Sequence, residues 1–243
     1  MKVLDLFSGI GGFSLGLEWA GMSTVAMCEK DPYCRKILAK HWPDLTIHDD
    51  IRNLDGKRYA ESIDLVCGGF PCQPFSVAGK RKGTDDDRHL WPEMLRVIQE
   101  SRPRWVIGEN VFGFVNMALD DVQADLEREH YEVRKFVLPA VAVDAKHRRD
   151  RIILVAYTQS ERVQGLWSGR EQEPHAHERQ ELPMCESQRP RPAYWEAEPR
   201  ICRVVDGVPN RVDRIKGLGN AVVPQLIQTI GELVLAADKE IYK

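Results

Sequence analysis

The sequence predicts an α/β protein with a doubly wound, mostly parallel sheet, and three observations support this fold class. Short apolar runs typical of buried strands alternate with helical patterns along residues 1–157. A glycine-rich turn separates the first strand from the first helix, and an acidic residue follows the second strand. Both features are typical of sheets that bind a ligand at the carboxyl ends of their strands.

The elements follow one another in a βαβα order at the start of the chain. Residues 3–7 are predicted as the first strand, residues 8–12 as a tight turn, and residues 13–20 as a helix that Gly21 closes. The other predicted strands are 23–29, 45–47, 63–66, 105–108, 131–138 and 151–156. The other predicted helices are 31–41, capped by Asp31 and Pro32, then 91–100, 120–129 and 222–237.

Composition limits the class of protein. The chain has 243 residues and a formal net charge of −3. It contains no secretory signal and no apolar stretch of the ~20 residues that cross a bilayer, so we expect a cytoplasmic protein without membrane contact. Residues 146–216 contain 14 Lys and Arg against 11 Asp and Glu, and the remainder contains 20 against 26. This basic segment on an acidic body suits either nucleic acid or an ordinary solvated surface.

Residues 158–200 differ from the rest of the chain. They are rich in Glu, Gln, Arg, Pro and His and have few aliphatic residues, which predicts a loop-rich insert or a partly disordered segment. Apolar residues recur at helical spacing over 222–237, so we expect a closing helix that packs back on the sheet.

Cys72 is the most conspicuous candidate for chemistry. It stands between Pro71 and Pro74 just after a predicted strand, and each proline fixes φ and removes an amide donor. A thiolate held on a stiff loop at the carboxyl end of a strand is a credible nucleophile. We expect the other cysteines to be small buried hydrophobic residues: Cys28, Cys34, Cys67, Cys185 and Cys202. Because no Cys-x-x-Cys pair occurs, the sequence does not favour a metal site.

Acidic residues follow three other predicted strands. Glu29 can accept hydrogen bonds from a ribose, so a nucleoside cofactor could lie against the glycine turn. The spacing of the glycines departs from the dinucleotide fingerprint. Asp50 can accept from the amino group of a purine, or it is a simple cap. Burial should raise the pKa of Glu109, which would let it donate to a ring nitrogen as well as accept from an amine.

Five motifs, in the same order, resemble those of the prokaryotic and phage DNA cytosine-C5 methyltransferases. They are Asp-Leu-Phe-Ser-Gly-Ile-Gly-Gly-Phe at 5–13, Gly-Phe-Pro-Cys-Gln-Pro-Phe-Ser at 69–76, Glu-Asn-Val at 109–111, Arg-Asp-Arg at 149–151 and Gly-Asn-Ala-Val at 219–222. The resemblance implies a Rossmann-like, S-adenosylmethionine-dependent methyltransferase sheet. It also implies two regions: residues 1–157 plus 217–243 as the catalytic, cofactor-binding domain, and residues 158–216 as a small target recognition region.

The resemblance implies a reaction on a cytosine rotated out of duplex DNA, with S-adenosylmethionine as methyl donor and S-adenosylhomocysteine as product. Cys72 would attack C6 of the base while Glu109 holds N3 and the exocyclic amine. Arg149 and Arg151 match the pair that supports the flipped base and the catalytic loop. His147 stands where most members have glutamine, so the support of the catalytic loop is expected to differ from that of most members, whereas the reaction is not.

The same resemblance assigns cofactor contacts to the glycine turn, to the ends of two strands, to the catalytic loop and to the last motif. These residues are Phe7, Ser8, Gly9, Ile10, Gly11, Gly12, Glu29, Lys30, Asp50, Ile51, Pro71, Leu90, Asn220 and Val222. Glu29 would bind the ribose, Asp50 the adenine amine, and Ile51 would lie against the adenine ring. Lys30 stands where members often stack an aromatic side chain, so cofactor affinity is expected to differ.

Residues 73–89 predict a mobile basic loop that closes over a phosphate backbone. The expected DNA contacts there are Gln73, Ser76, Lys80, Arg81 and Lys82. Further candidates in the short recognition region are Arg170, Arg179, Arg189, Arg191 and Trp195. We expect a monomer that acts on double-stranded DNA, as in restriction-modification. Two alternatives stay open: a tRNA cytosine-C5 methyltransferase with the same chemistry, and a catalytically silent DNA-binding relative.

Overall fold

The computed structural model describes residues 1–71, 90–111, 119–143, 150–158, 213, 217–218 and 220–242. The described strands are β1 Lys2–Leu6, β2 Ser23–Cys28, β3 Thr46–His48, β4 Leu65–Gly68, β5 Trp105–Val111, β6 Tyr131–Leu138 and β7 Arg151–Thr158. The described α-helices are α1 Gly12–Trp19, α2 Pro32–His41, α3 Trp91–Ser101, α4 Leu119–Arg128 and α5 Pro224–Ile241. This alternation confirms the predicted α/β class.

The strands form one sheet in the order β3-β2-β1-β4-β5-β7-β6. The first five strands pair in parallel, whereas β7 runs antiparallel to both of its neighbours, β5 and β6. From β1 the chain first builds outward through β2 to β3 and then returns to place β4 on the other side of β1. Such a reversal opens a crevice at the carboxyl ends of the strands, where α/β sheets bind their ligands.

Two hydrophobic clusters cover the two faces of the sheet. Side chains alternate across β1, so that Leu4 and Leu6 join one cluster and Val3 joins the other. Helices α3 and α4 supply the first cluster, and α1 and α5 supply the second. The helices therefore lie on both faces, which confirms a doubly wound arrangement and the return of the closing helix to the sheet.

Helix α5 is fastened to the sheet by polar contacts at the amino end of β5. The indole Nε1 of Trp105 donates to Asp238 Oδ1 at 2.9 Å. The Arg104 guanidinium lies 3.3 Å from Asp238 and 2.9 Å from Asp64, and it stacks 5.0 Å from the centre of the Tyr242 ring. These contacts join the C-terminal helix to strands that lie far from it in sequence.

Most predicted boundaries are confirmed to within one or two residues, and two differences concern the site. Strand β4 begins at Leu65, which pairs with Val3; residue 63 would lie opposite Met1, before β1 begins. Strand β5 continues beyond residue 108 to Val111 because β7 pairs with it as far as Arg151. Glu109 therefore lies within β5, not after it as predicted.

Candidate active site

The turn between β1 and α1 has a left-handed backbone at Phe7, Gly9 and Gly11, with φ of 55°, 56° and 89°. Main-chain bonds hold it: the Ser8 N–H donates to the Cys28 carbonyl at 3.1 Å, and the Gly11 N–H donates to the Ser8 carbonyl at 2.8 Å. A Cβ at Gly9 would meet no atom within 4 Å. The backbone at Gly9 is therefore open to a ligand.

Trp42 closes the same turn beside Gly11. A Cβ at Gly11 would lie 2.5 Å from the Trp42 ring, so this close approach requires glycine. The Trp42 indole Nε1 donates to the Glu18 carboxylate at 2.9 and 3.1 Å, which fixes the ring between α1 and α2. Trp42 was not predicted as part of the site, because a tryptophan after a helix carries no local signal that it packs on a distant turn.

The Glu29 carboxylate is held over the glycine turn by two main-chain donors. Its Oε2 accepts from the Gly9 N–H and its Oε1 from the Asp31 N–H, both at 2.7 Å. Each carboxylate oxygen has two lone pairs, so both oxygens can accept a further hydrogen bond. The arrangement fits a ligand with two neighbouring hydroxyl groups, such as a ribose.

Asp50 caps the short 3₁₀ turn Ile51–Asn53, where its Oδ1 accepts from the Arg52 N–H at 3.0 Å. Its Oδ2 lies 3.7 Å from the Lys30 ammonium, whose side chain is 68 % exposed. The capping role predicted as one alternative is thus present. Ile51 is 3 % exposed and belongs to the core, so its contact with an adenine ring stays a prediction.

Asp5 is a fully buried carboxyl beneath the turn. Its Oδ2 accepts from the Ser14 hydroxyl at 2.6 Å and from the Ser14 N–H at 3.3 Å, which joins β1 to the first turn of α1. Burial raises the pKa of Asp5 to about 7, although the bonds from Ser14 and the Cys67 thiol lower it and the Glu29 charge adds to the rise. From the sequence, Asp5 was recognised only as the first residue of the motif at 5–13.

The described cysteines are buried, as predicted for Cys28, Cys34 and Cys67. Burial raises the pKa of Cys28 to about 12, and it raises the pKa of Cys67 well above its ordinary value. Both thiols therefore stay protonated at neutral pH and are poor nucleophiles.

Glu109 and Arg151 form an ion pair between the neighbouring strands β5 and β7. The Arg151 Nε lies 2.7 Å from Glu109 Oε1, and the two side chains are 19 % and 11 % exposed. A Cβ at Gly69 would lie 3.1 Å from Glu109 Oε2, so the chain leaving β4 passes close to the carboxylate. The raised pKa expected for Glu109 stays a prediction, since burial favours the neutral acid and the Arg151 charge favours the carboxylate.

Asn110 ties β5 to the segment that leads into Cys72. Its Nδ2 donates to the Phe70 carbonyl at 3.0 Å, and its Oδ1 accepts from the Val111 N–H at 2.9 Å. The Phe70 ring in turn packs against Trp91, with 5.0 Å between ring centres. The chain is thus fixed two residues before Cys72.

The C-terminal residues return to the same edge of the sheet. A Cβ at Gly12 would lie 2.8 Å from Val222 Cγ2, so Val222 packs directly on the glycine turn. Glu109 and Arg151 border a pocket whose remaining walls are apolar. Those walls are Ala140, Ile153, Val222, Val223, Leu226 and Ile227.

The sequence profile of the C-5 cytosine-specific DNA methylase family matches residues 1–198. The chain belongs to this family. Type II methyltransferase M.Eco47II of Escherichia coli is 37 % identical over 163 residues. M.PspPI of Psychrobacter is 39 % identical over 161 residues. The matched region is 63 % of this chain and 39 % of each relative, so the chain spans about two-fifths of the length of these curated relatives.

The solved structure of the Schizosaccharomyces pombe Dnmt2 methyltransferase has the same fold, with a TM-score of 0.57. It is 25 % identical, and the match covers 72 % of this chain and 57 % of that one. The Rossmann-like methyltransferase sheet expected from the motifs is thereby confirmed.

Several residues assigned from the family motifs lie together in the described structure. The glycine turn, Glu29 and Val222 meet at the carboxyl end of β1, and Glu109 and Arg151 pair beside Gly69. Leu90 immediately precedes α3, and both Pro71 and Asn220 are exposed. Outside the described residues lie Cys72, Gln73, Ser76, Lys80, Arg81, Lys82 and Arg149, together with residues 159–212 of the predicted recognition region.

Two further findings apply to the described part of the chain. No helix there is both long and apolar enough to cross a membrane. The described residues also contain no group of three or more His, Cys, Asp or Glu side chains that could hold a metal ion.

Proposed function

We propose that this chain is a DNA cytosine-C5 methyltransferase that transfers a methyl group from S-adenosylmethionine to a cytosine flipped out of duplex DNA. The Glu109–Arg151 pair at 2.7 Å carries the proposal. It places a carboxylate with a fixed cation beside the chain that leads to Cys72, on the sheet edge where Glu29 and the glycine turn also lie.

The residues present fit a nucleoside cofactor. The backbone at Gly9 is open, and Glu29 presents two oxygens that main-chain bonds have already oriented. We assign the ribose to Glu29 and the adenine amine to Asp50. When bound, S-adenosylmethionine supplies an electrophilic methyl group on a positively charged sulfur. Val222, packed on Gly12, closes the turn from the C-terminal side.

Cys72 and Glu109 have different roles in the reaction of the cytosine ring. The Cys72 thiolate forms a bond to C6, and the electron pair of the C5–C6 double bond moves onto C5. Glu109 in its protonated form donates to N3 and accepts from the exocyclic amine, which stabilises the negative charge that the ring acquires. Carbon C5 then accepts the methyl group and loses its proton to a base at the site. The S–C6 bond breaks, and the ring regains its aromaticity.

Arg151 orients Glu109 through the hydrogen bond that it donates. A carboxyl group buried to this degree needs a partner, and Arg151 supplies one through Nε while its Nη1 donates to the Asp150 carbonyl at 3.0 Å. We assign to Arg149 the support of the catalytic loop, and to Gln73, Ser76 and Lys80–Lys82 contacts with the DNA backbone. Residues 158–216 would supply the target recognition region. The working protein is expected to be a cytoplasmic monomer.

The test is transfer of labelled methyl from S-adenosylmethionine to nucleic acid. The purified chain should label duplex DNA and leave a bulk tRNA preparation unlabelled. Bisulfite sequencing of plasmid from cells that express the chain should then show protected cytosines in one short sequence context. Label in tRNA alone would favour the RNA alternative, and no label in either would contradict the proposed activity.

A further inference from the structure

Arg96 of α3 reaches across to the turn that follows β3. Its Nη2 donates to the Ile51 carbonyl at 2.7 Å, and its Nη1 donates to the Leu54 carbonyl at 3.0 Å. Ile51 begins the 3₁₀ turn Ile51–Asn53, and Leu54 is its C-terminal cap. One side chain therefore bonds the main chain at both ends of this turn.

Two carboxylates on the same helix orient the Arg96 guanidinium. Glu93 accepts from Nε and Glu100 accepts from Nη1, each at 2.9 Å. The same Glu100 oxygen accepts from the Gly56 N–H at 2.8 Å. Burial opposes the charge, but the two carboxylates outweigh it and raise the pKa of Arg96. The guanidinium is thus charged, held on one side by α3, and bonded on the other side to the turn.

The bonds from Arg96 to main-chain carbonyl groups hold this turn more firmly than the side-chain ion contacts of Asp50 do. Asp50, which precedes the turn, makes only long side-chain ion contacts, at 3.7 Å to Lys30 and 3.8 Å to Arg52, among the described residues. Exposed pairs of this kind contribute little to the placement of a side chain. The bonds to Ile51 and Leu54 are shorter, and both residues are buried.

We propose that Arg96 is a positioning residue for cofactor binding: it holds the turn that presents Asp50 and Ile51 to the adenine. The inference rests on the proposed function, because it assumes that this turn binds S-adenosylmethionine. Arg96 acts through two carbonyl groups, and among the described residues its side chain bonds Glu93, Glu100, Ile51 and Leu54 rather than Glu109 or Arg151. Its loss should weaken cofactor affinity and leave the rate at saturating cofactor nearly unchanged.

The experiment compares two variants with a matched control by calorimetric titration of S-adenosylhomocysteine. Arg96→Gln should raise the Kd roughly tenfold or more, since two charge-assisted bonds are lost. The Kd of Arg96→Lys should lie between those of Arg96→Gln and the wild type, because an ammonium keeps the charge but lacks the planar fork that bonds both carbonyls. The control is Arg102→Gln at the end of the same helix, where the arginine pairs with Glu129 at 2.9 Å on the surface. Its Kd should equal that of the wild type.

A second measurement separates positioning from a general loss of structure. Methyl transfer to DNA under saturating cofactor should give a kcat for Arg96→Gln within about threefold of the wild type, while the KM for cofactor follows the Kd. A folded Arg96→Gln protein that binds with wild-type affinity would overturn the inference. If Arg96→Gln does not fold, wild-type affinity in Arg96→Lys would overturn it, and so would the failure of both variants to fold.

The wild-type titration keeps the two proposals distinguishable. A wild-type chain that binds no S-adenosylhomocysteine would contradict the proposed cofactor, and this inference would fall with it. A wild-type chain that binds, next to an unaffected Arg96→Gln, would contradict this inference alone.

Discussion

The Arg151 Nε lies 2.7 Å from Glu109 Oε1 and joins the last parallel strand of the sheet to its antiparallel neighbour. Arg151 pairs in the ladder with Val111, two residues beyond Glu109, so the two side chains stand on the same face of the sheet. The pairing of β7 with β5 therefore places the Arg151 guanidinium beside the Glu109 carboxylate.

Replacement of Arg151 by alanine should lower both stability and turnover. It leaves the buried Glu109 carboxylate without this guanidinium. We expect a loss of about 1–3 kcal/mol in the free energy of unfolding and a fall of roughly 100-fold in the single-turnover rate of methyl transfer. Urea melts and rapid-quench assays measure the two effects. An unchanged rate would show that Glu109 does not depend on Arg151.

Asn110 provides a test of the chain that leads to Cys72. Asn110→Ala removes the bond to the Phe70 carbonyl, so the segment before Cys72, the proposed nucleophile, loses one of its anchoring contacts. We expect roughly a tenfold or greater fall in the rate of methyl transfer, with the Kd for S-adenosylhomocysteine within about twofold of the wild type. Gln99→Ala, which removes an exposed bond to Glu129, serves as the control and should change neither quantity. Equal losses of rate and cofactor affinity would contradict the assignment.

Gly11 and Trp42 should show a coupled effect on stability. Gly11→Ala places a methyl group 2.5 Å from the Trp42 ring, whereas Gly9→Ala meets no atom within 4 Å. Both glycines have positive φ, so both variants are strained, by about 1–3 kcal/mol each. Thermal melts should show the larger loss for Gly11→Ala. In a Trp42→Ala background, Gly11→Ala should cost less stability than it does in the wild type. If the stability losses of the two substitutions are strictly additive, the contact between Gly11 and Trp42 is contradicted.

Asp5 should make stability depend on pH. Its pKa in the folded chain is about 7, against an ordinary value of 3.8, so the folded state binds more protons between about pH 4 and pH 7. Stability should therefore fall as pH rises through this range, and the loss should be complete above it. In Asp5→Asn this contribution is absent, so stability relative to the wild type should increase from pH 4 to pH 7. Urea melts across that range measure it, and parallel curves would contradict the burial of a titrating carboxyl.

The parts of the site that sequence could predict are those set by strand ends and motif order. Glu29 and Asp50 follow apolar runs, and a parallel sheet brings such positions to one edge. The start of α2 at Asp31 and Pro32 could also be predicted from the sequence, and in the structure Asp31 accepts from the Tyr33 and Cys34 N–H groups. Local chemistry is enough for predictions of this kind.

The parts that sequence could not predict depend on contacts between a side chain and a distant main chain. Trp42 on Gly11, Asn110 on Phe70 and Arg96 on Ile51 join elements far apart along the chain. Helical spacing shows which face of α3 is buried, but it does not show which carbonyl an arginine on that helix will reach. The extension of β5 through Glu109 depends likewise on the pairing of β7, which no local pattern encodes.

The central claim is that Cys72 forms a covalent bond to C6 of a cytosine in duplex DNA. The most direct measurement is mass spectrometry of the chain after incubation with S-adenosylmethionine and duplex DNA that carries 5-fluorocytosine. The fluorine blocks loss of the C5 substituent, so the methylated adduct cannot release the thiol. We expect a stable protein–DNA adduct at Cys72 in the wild type and none in a folded Cys72→Ser variant. An adduct that persists in Cys72→Ser, or methyl transfer to ordinary cytosine by that variant, would contradict the account.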